Sequence, residues 1–181
     1  MNNIIITPDR FKAAFDQIVV GYENQIIKYR FNDREYTKLM LNYENGVLRS
    51  IANNFDLRYY NEYWTLDAIM YKENDWVYFP KEANYATNLS IAIEHENHGE
   101  RSNEEMNKLS LFNAPLKVLI TYPPSFEADG LLSMYSDMLK RADIFNDFSD
   151  KRRQMVIFGN FDDEGVMWRH YVYKNGEFVK F

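Results

Sequence analysis

A short apolar run that turns abruptly into charged residues constrains the fold of this chain most. The segment 89–93 is apolar enough for a buried strand, and Glu94, His95 and Glu96 follow it without a break. Because side chains alternate between the two faces of a strand, Glu94 and Glu96 share one face. Two carboxylates about 7 Å apart repel each other unless a cation lies between them. The pattern favours either a strand that ends in water or a site for a divalent metal ion.

Hydrophobic periodicity along the rest of the chain predicts an α/β fold, with a mixed central sheet flanked by helices. The expected helices lie at 8–20, about 33–54, 104–113 and 130–148. The expected strands lie at 57–60, 64–71, 89–97, 116–122 and 154–159, with a closing hairpin at 167–181 through Asn175-Gly176. This alternation of strands and helices is typical of a layered domain.

Length, charge and composition limit the kinds of protein that this chain could be. The 181 residues suit a single domain, 1–181. A net charge of −6 argues against a protein that only binds nucleic acid, since such proteins are usually basic. With no cysteine, thiolate ligands and disulfides are excluded. No apolar run approaches the roughly 18 residues of a membrane span, and no leader is evident, so we expect a cytoplasmic protein without membrane contact.

A further carboxylate, Asp67, lies inside an apolar strand pattern. A buried, ionised Asp costs on the order of several kcal/mol unless it is paired with a cation or bound to a metal ion. A lone Asp more often accepts hydrogen bonds at a strand end. If the two strands are neighbours, however, Asp67 meets Glu94 and Glu96 at one edge of the sheet. Carboxylates together with a backbone carbonyl, for which His95 is well placed, suit Mg²⁺ or Mn²⁺.

This order of elements, with Asp67 on one strand and Glu94 and Glu96 on a later one, resembles the core of the PD-(D/E)XK nuclease superfamily. That superfamily has the restriction-endonuclease-like fold. The resemblance covers about residues 36–122 and leaves the C-terminal helix and strands at 130–181 outside it. It implies that Asp67 and Glu94 bind the metal ion. It also implies that Glu96, which stands where most members have Lys, would activate the attacking water.

The resemblance brings in two further residues. Some members move the Lys to the following helix, where this chain has Lys108. An acidic residue on the first core helix often completes the metal site, and Glu44 would fill that place. The implied catalytic residues are Asp67, Glu94, Glu96 and Lys108. The implied metal ligands are Asp67, Glu94, Glu44 and His95.

The function implied by the resemblance is a Mg²⁺- or Mn²⁺-dependent endonuclease that hydrolyses phosphodiester bonds in DNA, of a restriction or repair type. Restriction-type enzymes often dimerise, so the resemblance also allows a homodimer. The alternative is a catalytically inactive protein on the same fold, which acts as an interaction or regulatory module. The acidic charge and the missing Lys favour that alternative. A third reading is an α/β protein whose carboxylates are ordinary surface residues.

Other basic and imidazole groups lie near these carboxylates in the sequence. His95 and His98, together with Glu94 or Glu96, could bind zinc, but the spacing of the two histidines suits a helix or turn better than a strand. The expected phosphate contacts are His98, Arg101, Lys108 and Lys117.

Overall fold

A seven-stranded mixed sheet with helices on both faces forms the centre of the molecule, which confirms the predicted α/β class. The computed structural model describes residues 5–42, 44–78, 85–162 and 165–181. The strands are β1 (Arg58–Tyr63), β2 (Leu66–Tyr71), β3 (Trp76–Val77), β4 (Tyr85–Ala86), β5 (Ile91–Glu96), β6 (Leu116–Thr121), β7 (Arg153–Phe161), β8 (Val166–Lys174) and β9 (Glu177–Lys180).

The main sheet has the order β1-β2-β5-β6-β7-β8-β9. The central strands β5, β6 and β7 are parallel, and all other neighbours in this sheet are antiparallel. A parallel neighbour requires a crossover connection. Two helices supply these crossovers, α5 (Ser102–Leu111) between β5 and β6, and α6 (Ala128–Ala142) between β6 and β7. The short strands β3 and β4 form a separate antiparallel pair.

The N-terminal helices cover the opposite face of the sheet from α5 and α6. They are α1 (Pro8–Val20), α2 (Glu23–Tyr29), α3 (Asp33–Thr37), a π-helical turn (Lys38–Asn42) and α4 (Val47–Asn54). As predicted, α1 begins at Pro8, and the side chain of Thr7 accepts a hydrogen bond from the backbone N–H of Arg10. None of the helices in the described segments is long and apolar enough to cross a membrane.

The single helix predicted at about 33–54 is wrong. The chain instead forms α3, the π-helical turn, an exposed turn that contains Glu44, and α4. Gly46 adopts an extended conformation (φ −73°, ψ 168°) and begins α4 as its N-cap. The hydroxyl of Tyr22 donates a hydrogen bond to the carbonyl of Asn45. This contact with the turn between α1 and α2 fixes the backbone just before Gly46, and Glu44 lies exposed in its turn rather than along a helix.

The C-terminal third agrees with prediction except at one helix end. The Asn175-Gly176 turn joins β8 and β9, with positive φ angles of 52° and 92° that suit this residue pair. Helix α6 ends at Ala142 rather than at 148. The carboxylate of Asp143 accepts hydrogen bonds from the following backbone N–H groups, including that of Phe148. That side chain lets the backbone leave the helix early.

Gly159 on β7 provides a test of the packing on the helical face that holds α1. A methyl group there would lie 2.6 Å from the ring of Tyr122 and 2.8 Å from that of Trp168. We expect Gly159→Ala to lower the free energy of unfolding by about 1–3 kcal/mol, because both rings are held in the packed layer. Urea denaturation measures this change.

The matched control is Gly130→Ala in α6, where no atom beyond the adjacent residues and the backbone of its own helix lies within 4 Å of the new methyl group. This variant should leave stability unchanged or raise it by up to about 1 kcal/mol. A Gly159→Ala variant as stable as the wild type would contradict the close packing.

Candidate functional site

The antiparallel pairing of β2 with β5 brings two of the predicted metal ligands together. Ala68 pairs with Ile93, and the next step of this register places Asp67 across from Glu94. The backbone N–H of His95 donates a hydrogen bond of 2.8 Å to Oδ2 of Asp67. The two strands predicted to be neighbours are therefore neighbours, and their carboxyls lie side by side where β5 nears its end.

Glu94 is a buried carboxyl with little to stabilise its charge. Its side chain is 0% exposed, and neither of its oxygens makes a hydrogen bond within the described part of the chain. Burial, followed by the charge of Asp67 and the contact with Glu105, raises the pKa of Glu94 from 4.5 to about 10, although Lys108 opposes this. Burial also raises the pKa of Asp67, against the hydrogen bond from His95. Glu94 is therefore protonated at neutral pH unless a stronger cation approaches.

Lys108 on α5 is the cation beside this pair. Its Nζ lies 3.1 Å from Oε1 of Glu94, close enough for an ion pair whenever Glu94 is ionised. It also pairs with Glu105, three residues earlier on the same helix. Partial burial lowers the pKa of Lys108, but its contacts with Glu105 and Glu94 outweigh this effect and raise it. Lys108 is therefore cationic at neutral pH.

Helix α5 places the side chains of Glu105 and Lys108 near the end of β5. Met106 and Leu109 are buried in the core beneath the helix. Glu105 and Lys108 are one helical turn apart, so they lie together on the neighbouring side of the helix. Sequence reasoning selected Lys108 and missed Glu105. The signal that could have found Glu105 is this i, i+3 spacing from Lys108.

Glu96 does not join the pair in the way its strand position suggested. Its Oε1 accepts a hydrogen bond of 2.8 Å from the backbone N–H of His98, which closes the turn after β5. Glu96 is not among the groups that shift the pKa of Asp67 or Glu94. The third carboxyl of the cluster is Glu105, from the helix, rather than Glu96, from the strand.

Glu44 is not brought to the cluster. It lies in an exposed turn of the N-terminal helical layer, whereas Glu94 faces α5 on the other side of the sheet. It is also absent from the groups that perturb Asp67 and Glu94. The prediction placed Glu44 on a helix, and the break before Gly46 removes that helix.

The imidazole of His95 belongs to the core on the N-terminal helical side. Its Nε2 lies 2.9 Å from the hydroxyl of Tyr122, and its ring centroid is 5.8 Å from that of Tyr36. Burial lowers the pKa of His95 to about 3, so the ring is neutral. His98 is exposed, with Nε2 3.4 Å from Asp33. One imidazole is in the core and the other is at the surface, so the structure gives no support to zinc binding by the two together.

Lys117 is not a phosphate contact, and that expectation is wrong. Its side chain is 0% exposed, its Nζ donates a hydrogen bond of 3.2 Å to the carbonyl of Ser110, and it lies over the ring of Phe148 at 4.6 Å. Burial lowers the pKa of Lys117 to about 7. The residue satisfies a carbonyl in the last turn of α5, where a cation complements the helix dipole.

The donor set at Asp67 and Glu94 has the chemistry that Mg²⁺ or Mn²⁺ requires, namely carboxylate oxygens. The unbonded buried oxygens of Glu94 fit such an ion. Among the residues described, however, no three His, Asp or Glu side chains are arranged to hold a metal ion as they stand. The nearest positive group to Glu94 is the ammonium of Lys108. The residues fit a hard cation, but Lys108 lies against the same carboxyl.

Comparisons with known proteins leave the family open. No family model matches the chain, and no curated protein matches its sequence. Among solved structures, the chain is similar to the central domain of yeast acetyl-CoA carboxylase, with a TM-score of 0.44 and 10% sequence identity. The aligned region covers 94% of this chain, which spans about a third (34%) of the length of that chain. A likeness this low carries no argument about family or activity.

The burial of Glu94 predicts that Glu94→Gln stabilises the protein above about pH 5. In the unfolded chain Glu94 loses its proton near pH 4.5, whereas in the folded protein it keeps that proton up to about pH 10. The folded state therefore binds more protons in this range, and wild-type stability falls as the pH rises through it. Glutamine does not titrate, so the advantage of the variant should vanish below about pH 4 and exceed about 1 kcal/mol by about pH 8.

Urea denaturation of both proteins across this pH range measures the difference. The control is Glu104→Gln, which removes an exposed carboxyl from the neighbouring helix α5 and should show no such pH dependence. Equal stability of Glu94→Gln and the wild type at about pH 8 would contradict a protonated, buried Glu94.

Proposed function

We propose that this protein is a metal-dependent nuclease of the PD-(D/E)XK type that hydrolyses phosphodiester bonds in DNA. The observation that carries the proposal is the adjacent pair Asp67 and Glu94, with the cationic Lys108 supplied by the next helix. The order of elements also supports it, since an antiparallel hairpin, β5, α5 and the parallel strand β6 follow one another as the resemblance requires.

Asp67 and Glu94 would hold the metal ion. A bound Mg²⁺ or Mn²⁺ polarises a phosphate and lowers the pKa of its bound water. The backbone N–H of His95 keeps the carboxylate of Asp67 in place. Lys108 stays cationic, so its role is to stabilise negative charge on the phosphate oxygens rather than to accept a proton.

The hydrolysis itself forms one bond and breaks another. The oxygen of a water molecule bonds to phosphorus, and the bond from phosphorus to the leaving deoxyribose oxygen breaks. The water proton passes to a carboxylate, for which Glu105 beside Lys108 is the neighbouring acceptor. The leaving oxygen takes a proton from solvent. Glu96 is less suited to this step, because its carboxylate accepts a hydrogen bond in the turn after β5 and, unlike Glu105, does not perturb Asp67 and Glu94.

A cleavage assay on plasmid and oligonucleotide DNA with Mg²⁺ or Mn²⁺ tests this assignment. Asp67→Asn and Glu94→Gln should lower the cleavage rate by more than about 100-fold, because each removes a charged metal ligand. Loss of activity in Glu94→Gln cannot come from unfolding, since that variant is expected to be more stable than the wild type.

Glu96→Gln is the matched comparison, because glutamine can still accept the hydrogen bond from His98. It should retain most of the activity, whereas loss of a general base would cost about 10²- to 10⁴-fold. Full activity in Glu94→Gln would overturn the site. A loss of cleavage rate of about 100-fold or more in Glu96→Gln, the size expected for removal of a general base, would show that Glu96 rather than Glu105 is the base.

The exposed ring of Trp64, close to Asp67 along the chain, suits contact with an unpaired base. Trp64 is 76% exposed, lies three residues before Asp67 in the β1–β2 turn, and stacks on Tyr63 with centroids 5.7 Å apart and planes 10° apart. Its φ of 57° is unfavourable for this residue type and costs on the order of 1–3 kcal/mol. The two-residue turn between β1 and β2 requires a positive φ at this position, and it leaves the outer face of the indole exposed to a ligand.

Trp64→Ala should weaken the binding of single-stranded DNA by about tenfold, since one stacked base is worth about 1–3 kcal/mol. Fluorescence anisotropy of a labelled oligonucleotide, measured without divalent metal to prevent cleavage, gives the affinity. The control is Phe145→Ala, which removes an equally exposed ring from the loop after α6. Equal weakening by both substitutions would show that the effect is not specific to the site.

A second candidate function is a non-catalytic interaction or regulatory module on the same fold. The observation that favours it is the contact of Lys108 with Glu94, which occupies this carboxyl without a metal ion. The acidic net charge of −6 also fits a partner other than bare DNA. Absence of DNA and RNA cleavage with either metal would support this candidate. Homodimer formation stays a prediction of the resemblance.

A further inference from the structure

Lys108 contacts the same carboxyl that a metal ion would use. We infer that Lys108 is a built-in counter-ion of the metal site: its ammonium occupies the position beside Oε1 of Glu94 while the site is free of metal, and a divalent ion binds only by displacing it towards Glu105. This inference rests on the proposed function, and it concerns how occupation of that same site is controlled.

Glu94 is a buried carboxyl that faces a cation. Its side chain is 0% exposed, and both oxygens are buried without a hydrogen-bond partner. Within the described ranges, Lys108 is the only residue that forms an ion pair with it. The oxygens of such a carboxyl can act as ligands for a cation, and in this structure they face the ammonium group of Lys108.

The geometry makes the two cations compete. Nζ of Lys108 lies 3.1 Å from Oε1 of Glu94. A Mg²⁺ ion on the same oxygen would sit about 2.0–2.1 Å from it. A divalent ion and an ammonium held on one carboxylate oxygen in a poorly hydrated site repel each other strongly. Simultaneous occupation is therefore unfavourable.

Glu105 can hold the ammonium of Lys108 once a metal ion displaces it from Glu94. Lys108 already pairs with Glu105, three residues earlier on α5. Its side chain is 28% exposed, so it reaches solvent, and lysine is a flexible stem with a compact charge. A small rotation of the Lys108 side chain would keep its ion pair with Glu105 and break its contact with Glu94. Glu105 thus acts as a receiving group for Lys108 rather than as a metal ligand.

Isothermal titration of the full chain with Mn²⁺ tests this competition. Lys108→Met, which keeps most of the apolar stem and removes the charge, should bind Mn²⁺ at least about tenfold more tightly than the wild type, because no cation has to be displaced. Lys108→Arg, which restores a cation, should not show this gain. The rise in melting temperature caused by Mn²⁺ should likewise be larger for Lys108→Met, whatever its stability without metal.

The matched control is Lys38→Met. Lys38 pairs with Glu35 at the same i, i−3 spacing and has a similar exposure of 34%, but this pair lies outside the candidate site. Its removal should leave Mn²⁺ affinity unchanged. The double variant Lys108→Met/Glu105→Gln should keep the tighter binding. A return of the double variant to wild-type affinity would make Glu105 a ligand and overturn its receiving role.

The outcomes separate this inference from the proposed function. Equal or weaker Mn²⁺ binding by Lys108→Met would overturn the counter-ion, even if the wild type cleaves DNA. Tighter binding by Lys108→Met, together with a wild type that cleaves no nucleic acid, would overturn the nuclease and leave the counter-ion intact. No Mn²⁺ binding by any variant would overturn both.

Discussion

The position of every residue in the candidate site depends on β5, which has an antiparallel neighbour on one side and a parallel neighbour on the other. The antiparallel neighbour places Asp67 across from Glu94. The parallel neighbour requires a crossover, and α5 supplies both the crossover and the side chains of Glu105 and Lys108. Strand alternation then sends Glu94 to the face that packs on α5 and His95 to the face that packs on the N-terminal helices.

This arrangement places an unfavourable group in the interior of the protein. A carboxyl at the position of Glu94 loses its hydration, lies beside Asp67, and has a single partly exposed cation for compensation. Apolar side chains of similar size would satisfy the fold better. Strongly perturbed carboxyls beside a specific charged partner are typical of functional sites, although structural ion pairs also produce them.

The sequence predicted the parts of the site that follow from strand patterns. Asp67 and Glu94 each lie in a strongly apolar strand, so their meeting required only that the strands be neighbours. Side chains on helices were harder to place, because Glu105 has the pattern of an ordinary surface charge. Lys117 was misjudged for the opposite reason, since a charged residue in a strand pattern suggests a solvent-exposed position. The break before Gly46 was missed because it depends on contacts that are distant in the sequence.

The buried side chain of His95 has a consequence for which ions this part of the protein could accept. Its imidazole is held between Tyr36 and Tyr122, while its backbone N–H bonds to Asp67. The one nitrogen ligand next to the carboxyl pair is thus turned away from it. A cation beside Asp67 and Glu94 would meet oxygen atoms from these side chains and no imidazole. Ions that gain affinity from nitrogen, such as Ni²⁺, Cu²⁺ and Zn²⁺, lose that advantage here, and the path of one strand thereby biases the choice of metal.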